Sequence, residues 1–148
     1  MIQLLFVFIV TVSSFSKADF FKAISGSDVA TISKMIETIQ KSTDGNDKNA
    51  YLGAMKMKKA EHQKVAKDKL SMFNEGKGLL EKAITKNNKN VEYRFLRLMI
   101  QENAPKILKY SANISEDAKM ISSNYATLST DVKAAVLNYS KNSSSLKI

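Results

Sequence analysis

Apolar residues recur at intervals of three and four along most of this chain, which is the spacing of one face of an α-helix. The stretch that begins at Val29 shows the pattern clearly, with Ile32, Ile36 and Ile39 continuing one stripe. The 148 residues include one proline, five glycines and few alternations of apolar and polar side chains, so strand patterns are rare. We therefore predict an all-α protein.

Turn-forming and capping residues divide this pattern into separate helices. Ser25 is expected to cap the helix that contains Val29, with Asp28 completing a capping box. The clearest loop is "KSTDGNDKN", from Lys41 to Asn49. Other helices are predicted at about 19–24, 48–59 and 64–86, within 90–105, after Asn103, from Ser115 and over about 129–140.

The helix predicted at 64–86 contains two glycines, Gly76 and Gly78. Each lowers helix stability by about 1 kcal/mol relative to alanine. A helix tolerates such a residue where a second helix backbone approaches closely or where it bends. We therefore expect one of these two features near Gly76 and Gly78.

The beginning of the chain is typical of a secretory leader. Leu4 to Val12 form an apolar run that is shorter than the about 20 residues needed to span a bilayer. Ser16 and Ala18 supply small residues at the −3 and −1 positions of a cleavage site, so we predict a signal peptide over 1–18. The alternative is a buried N-terminal helix.

The rest of the chain is predicted to form one helical domain over 19–141, followed by a flexible tail over 142–148. No other segment approaches membrane-spanning length, so export to the periplasm or the medium is expected. The chain has no cysteine, which excludes a disulfide framework and lipid attachment at a cleavage-site cysteine. Export without disulfides favours a bacterial envelope over an animal secretory pathway.

The formal net charge is +9 at pH 7, and lysine provides almost all of it. Twenty-one of the 23 basic residues are lysine, spread over nearly every segment. Arginine, which binds phosphates and guanine bases through two parallel hydrogen bonds, occurs twice. We therefore predict no specific nucleic-acid binding and a solvated lysine surface, with electrostatic binding to anionic surfaces as the alternative.

Both arginines lie in "NVEYRFLRLMIQENAP", the most apolar segment after the leader. Apolar side chains cover most faces of the helix predicted here, so we expect it to be the central helix of the domain. Only Arg94, Arg97 and Gln101 remain as a narrow polar stripe.

This stripe has two interpretations. In the structural one, Arg94 and Arg97 bind carboxylates of neighbouring helices, because a partly buried cation needs several planar donors satisfied at once. In the functional one, Arg94, Arg97 and Gln101 line a groove that receives a carboxylate of a peptide or small ligand. The carboxylates considered for the structural interpretation are those of Glu61, Glu75, Glu81 and Asp117.

The middle of the chain resembles helical repeats of the tetratricopeptide type. "NAYLGAMKMKKA" resembles the first helix of such a unit, with Tyr51 and the Leu52–Gly53 pair at the expected positions. "LLEKAITKNNKNVEYRFLRL" resembles a second helix, a turn and the next first helix, although the repeat would carry an insertion of about eleven residues. This resemblance implies antiparallel hairpins stacked as a short array of about six to seven helices.

The segment from about Asn49 to Ile121 is also similar to a group of small exported helical proteins of Flavobacteria and related Bacteroidota. The most specific part is "NVEYRFLRLMIQENAPKILKY". This resemblance implies localisation and fold, and it carries over no catalytic residue.

The residue types needed for common catalytic sites are missing or isolated. His62 is the only histidine and lies among lysines, and there is no GxSxG motif or glycine-rich phosphate loop. We therefore predict no catalytic residue, no metal and no cofactor.

The function expected from the sequence is a non-enzymatic, monomeric binding or scaffolding module that takes a protein or peptide partner in the cell envelope. One alternative is a basic binder of lipid headgroups or an envelope polymer. The other is a small periplasmic enzyme with an unrecognised site.

Overall fold

A computed structural model describes residues 14–43 and 45–148 of the chain. Within these residues it contains seven α-helices and no strand, which confirms the predicted all-α class. Two short 3₁₀ turns, Lys106–Leu108 and Tyr125–Thr127, lie between helices. The helices are α1 (Lys17–Ser25), α2 (Val29–Lys41), α3 (Gly45–Ala60), α4 (Ala66–Lys86), α5 (Val91–Asn103), α6 (Ile114–Asn124) and α7 (Thr130–Ser140).

The helices pack as an array in which consecutive members from α1 to α6 contact one another. The α3–α4 hairpin is the most extensive pairing, while α5 packs against α3, α4 and α6, and α1 against α2 and α7. This packing is compatible with stacked hairpins, and the tetratricopeptide arrangement itself remains a prediction. No helix of the described residues combines the length and the apolar character needed to cross a membrane.

The α3–α4 hairpin depends on a close backbone contact between two glycines. A Cβ atom on Gly53 would lie 2.6 Å from the carbonyl oxygen of Gly76, and one on Gly76 would lie 2.5 Å from that of Gly53. Real Cβ contacts are essentially never this short, so neither position accepts a larger residue without a backbone shift. The expected close approach is confirmed at Gly76, whereas Gly78 has no atom within 4 Å of such a Cβ.

The predicted central helix is α5. Every residue from Tyr93 to Gln101 is buried, including both arginines. Asn90 caps the helix, because its side chain accepts a hydrogen bond from the backbone N–H of Tyr93 at 3.1 Å. Ala104 ends it, and Pro105 leads into the 3₁₀ turn.

Several predicted helix starts differ from the structure. Asp28, and not Ser25, caps α2 by accepting from the backbone N–H of Thr31 at 2.8 Å. α6 begins at Ile114 rather than after a Ser115 cap. α3 starts at Gly45, inside the predicted loop, and its first turn is tied to the neighbouring helices by tertiary hydrogen bonds.

The N-terminal residues also differ from the prediction in one respect. Residues 1–13 of the predicted signal peptide lie outside the described residues. Residues 14–18 lie within the described structure, and the cleavage predicted after Ala18 falls within the first turn of α1.

The predicted flexible tail, 142–148, is packed onto the domain. Leu146 is fully buried, and Ser143 is 6% exposed. The carboxylate of Glu102 on α5 accepts hydrogen bonds from the Ser143 hydroxyl at 2.8 Å and from the Ser145 backbone N–H at 2.9 Å. The mostly polar residues of the tail do not predict that Leu146 anchors it to the domain.

Substitution of the glycines tests the α3–α4 contact. Gly53→Ala or Gly76→Ala should lower the free energy of unfolding by about 1–3 kcal/mol, because the added methyl forces two backbones apart. Gly78→Ala is the matched control. It should raise the free energy of unfolding by up to about 1 kcal/mol, because alanine has the higher helix propensity. Chemical denaturation followed by circular dichroism measures all three, and equal effects at Gly76 and Gly78 would contradict the close contact.

The Glu102 contacts predict a pH-dependent tail. Burial alone would raise the pKa of Glu102, but hydrogen bonds from Tyr139, Ser143 and Ser145 outweigh it and hold the pKa below its usual value. A lowered folded-state pKa stabilises the folded state above the unfolded value of about 4.3, and this contribution is lost as pH falls through the folded value.

Hydrogen exchange at the amides of Ser145 and Leu146 should therefore accelerate at acidic pH, after correction for the intrinsic rate. Glu102→Gln should accelerate it at neutral pH, whereas the control Glu37→Gln, on the exposed face of α2, should not. Unchanged protection in Glu102→Gln would show that Leu146 alone holds the tail.

Candidate functional site

The predicted polar stripe of Arg94, Arg97 and Gln101 lies inside the domain. Arg97 binds Asp117 of α6 through two parallel hydrogen bonds, with Nε–Oδ2 at 2.7 Å and Nη2–Oδ1 at 2.8 Å. Its remaining group, Nη1, donates to Glu81 of α4 at 3.0 Å. Asp117 is 0% exposed and Arg97 4% exposed, so this is a buried ion pair.

Arg94 completes the same cluster from one turn earlier in α5. Its Nη1 lies 3.1 Å from both Glu116 and Asp117, and its Nε and Nη2 donate to the carbonyl oxygen of Asn88 at 3.2 and 3.0 Å. Each nitrogen of the guanidinium group therefore has an acceptor within the protein. We call Arg94, Arg97, Asp117, Glu81 and Glu116 the arginine cluster.

Two further polar pairs extend the arginine cluster. The Gln101 side chain exchanges two hydrogen bonds with Asn113, each 3.2 Å long. The hydroxyl of Tyr110 donates to Glu81 at 2.6 Å, and burial together with this carboxylate raises the pKa of Tyr110. Burial opposes the charge on Arg97, but its hydrogen bonds and charge attraction to Asp117 outweigh this and raise its pKa.

The structure thus favours the structural interpretation of the stripe over the ligand groove. Two of the proposed carboxylate partners, Glu81 and Asp117, are found, and Glu116 was missed. Glu61 instead pairs with Lys58 at 2.9 Å, and Glu75 pairs with Lys56. The ligand groove is not formed because the two guanidinium groups face α6 and the end of α4 instead of an opening.

A different surface is open to a partner. A cleft of about 580 Å³, here called the apolar cleft, lies where the end of α3 and the first half of α4 meet the end of α5. Most of its lining is hydrophobic, and its charged members are Glu61 and Lys69. The hydrophobic lining consists of Met57, Ala60, Ala66, Leu70, Phe73, Ile100, Ala104, Pro105, Ile107 and Leu108.

Two large apolar side chains at this cleft are left exposed. Leu70 is 48% exposed and Ile107 is 86% exposed, the highest value among the large hydrophobic residues described. Leu70 is an apolar residue of α4 but does not belong to the core. It lines the cleft together with Ala60 at the end of α3, so apolar character alone does not distinguish it from a core residue.

The backbone around Pro105 explains the position of Ile107. Pro105 ends α5, and the following 3₁₀ turn finishes at Lys109, whose φ of 49° is in the left-handed region. Such a conformation costs a non-glycine residue about 1–2 kcal/mol. The buried Tyr110 maintains it, because its ring packs edge-on against Phe73 at 5.8 Å.

A second cleft, of about 770 Å³, adjoins the apolar cleft and shares Glu61, Ile100 and Asn103 with it. It lies between α1, the end of α5 and α7, and its lining is more polar, with Lys22 and Asp131 among the charged members.

His62 and the carboxylates are the groups among the described residues on which a catalytic or metal site would depend. His62 is half-buried, and its Nε2 atom has no hydrogen-bond partner among them, so no serine hydroxyl is placed on it. Within residues 14–43 and 45–148 no group of three or more His, Asp or Glu side chains is arranged to hold a metal ion.

No protein-family model, curated protein or solved structure matches this chain. The resemblances to tetratricopeptide repeats and to exported Bacteroidota proteins therefore remain predictions.

Replacement of Asp117 tests the arginine cluster. Asp117→Ala should lower the free energy of unfolding by about 3–5 kcal/mol, because it leaves two buried guanidinium groups without their shared partner. Glu116→Gln is the control: its side chain is 64% exposed, so the loss should stay below about 1 kcal/mol. Denaturant titration of both variants gives the comparison, and a small loss for Asp117→Ala would mean that water replaces the carboxylate.

Proposed function

We propose that this protein is an exported, non-enzymatic binding module that holds an acidic, amphipathic segment of a partner protein in the apolar cleft. Export is supported by the leader-like sequence before Ser14. The observation that carries the binding proposal is the exposure of Leu70 and Ile107 beside a cleft of about 580 Å³.

The apolar cleft suits a partner with hydrophobic side chains on one face. Large hydrophobic side chains that are exposed together around a concavity are a feature of interaction surfaces. Covering one of them completely contributes about 1.5–3 kcal/mol. An amphipathic helix laid into a groove is a common way to provide this cover, because its apolar residues repeat on one side.

The charge around the cleft favours an acidic partner. Lys69 lines the cleft, and Lys67 and Lys106 are exposed next to lining residues. The whole chain carries a net charge of +9, so its field accelerates association with a negatively charged partner at low ionic strength.

The same lysines support a second candidate, binding to anionic lipid headgroups or an envelope polymer. That function relies on charge spread over the surface and is insensitive to the apolar cleft. Both functions weaken with salt, so the side chains of the cleft distinguish them.

Selection from displayed random peptides tests the proposed function. Peptides enriched on the wild-type protein should combine apolar residues at helical spacing with Asp or Glu. Leu70→Ser and Ile107→Ser should each weaken their binding about tenfold or more, given the apolar area lost. Val65→Ser is the matched control, because Val65 is 56% exposed but does not line the cleft.

Affinity is measured by fluorescence anisotropy, and the monomeric state of each variant by sedimentation. Absence of enrichment, or equal binding by all variants, would contradict the proposal. Binding to phosphatidylglycerol vesicles that survives Leu70→Ser and Ile107→Ser would support the anionic-surface function instead. Loss of a wild-type dimer in these two variants would identify a second copy as the occupant.

A further inference from the structure

Residues just before the predicted cleavage point are part of the folded domain. Phe15 is 9% exposed, and its ring packs edge-on against Tyr51 at 4.8 Å and lies 6.3 Å from Phe20. Tyr51 is fully buried and contacts Phe20 and Phe21 as well. Phe15 therefore closes one side of an aromatic cluster that joins α1 to α3.

Ser16 caps α1. Its hydroxyl oxygen accepts from the backbone N–H of Asp19 at 3.2 Å, and its carbonyl oxygen accepts from that of Phe20 at 3.0 Å. α1 has nine residues, so the loss of its cap and first residues would remove a substantial part of it.

Lys17 neutralises a partly buried carboxylate. Its Nζ donates to Oε2 of Glu92 at 2.9 Å and lies 2.6 Å from Oε1 as an ion pair. The Glu92 side chain is only 15% exposed, and burial raises its pKa despite the opposing effect of Lys17, with the charge of Asp47 adding to the increase. Without Lys17, Glu92 would lose the cation that pairs with it among the described residues, while the charge of Asp47 would still act on it.

Cleavage after Ala18 would remove Phe15, Ser16 and Lys17 together.

A second position upstream provides the small residue that a signal peptidase needs at −1. Ser14 is a small residue at the −1 position for a cut before Phe15, and Val12 is then at −3. Ser14 is exposed and precedes the aromatic cluster, so a cut there spares every contact described above.

We propose that signal peptidase cleaves the chain between Ser14 and Phe15, so that the mature protein keeps Phe15, Ser16 and Lys17. The step is hydrolysis of one peptide bond by water: Ser14 gains the new carboxylate and Phe15 the new α-amine. This inference rests on the proposed export of the protein, and its test separates the two.

The test is mass spectrometry of the N-terminal peptide of the full-length chain, expressed in a Gram-negative host and recovered from the periplasm. A mature protein that begins at Phe15 is the expected result. A start at Asp19 would overturn this inference and leave export intact. An uncut chain retained in the cytosol would overturn both this inference and the proposed export.

Two substitutions distinguish cleavage after Ser14 from cleavage after Ala18. Ser14→Leu should accumulate precursor, because a large side chain at −1 blocks the peptidase. Ala18→Leu is the matched control and should be processed like the wild type, since Ala18 is exposed on α1 and lies beyond the cut. Accumulation of precursor in Ala18→Leu but not in Ser14→Leu would place cleavage after Ala18 and contradict the proposal.

Thermal unfolding of purified chains gives an independent measurement. A chain that begins at Phe15 should melt higher than one that begins at Asp19, by on the order of 5 °C or more for a domain of this size. Equal melting temperatures would show that Phe15, Ser16 and Lys17 do not contribute to the fold and would contradict the inference.

Discussion

Asp117 is the residue on which the arrangement of the central helices depends. Its carboxylate is fully buried and binds both arginines of the chain, Arg97 through two parallel hydrogen bonds and Arg94 through one. Glu81 adds a second carboxylate from α4. Because a buried charge is costly unless it is paired and hydrogen-bonded, these contacts constrain how α4, α5 and α6 are placed relative to one another.

This internal use of arginine limits which groups the protein presents on its surface. Every nitrogen of the two guanidinium groups has an acceptor within the protein, and the groups that remain exposed lie elsewhere. At the apolar cleft these are Leu70, Ile107 and the surrounding lysines. The chain thus separates its two kinds of cation: arginine orders the interior, where planar donors matter, and lysine provides a solvated positive surface.

The cleft and the arginine cluster are connected through Tyr110. Its hydroxyl binds Glu81 of the cluster, while its ring packs on Phe73 in the floor of the apolar cleft. The same residue follows the left-handed Lys109 and so anchors the turn that exposes Ile107. Tyr110 is therefore a direct physical link between the arginine cluster and the lining of the cleft.

The sequence by itself determined the class of fold, the approximate helices, the burial of α5 and the need of Gly76 for a close neighbour. Each follows from local chemistry: apolar spacing reports a helix and its inward face, and a helical glycine is retained where only hydrogen fits. Sequence reasoning also identified Glu81 and Asp117 among the partners of the arginines. It did not find the apolar cleft, the docked tail or the integration of Phe15. These features depend on which apolar side chains a neighbouring helix covers, and that is set by helix lengths and crossing positions. Only the tertiary structure decided them, because an apolar stripe has the same pattern whether it is covered by the protein itself or left for a partner.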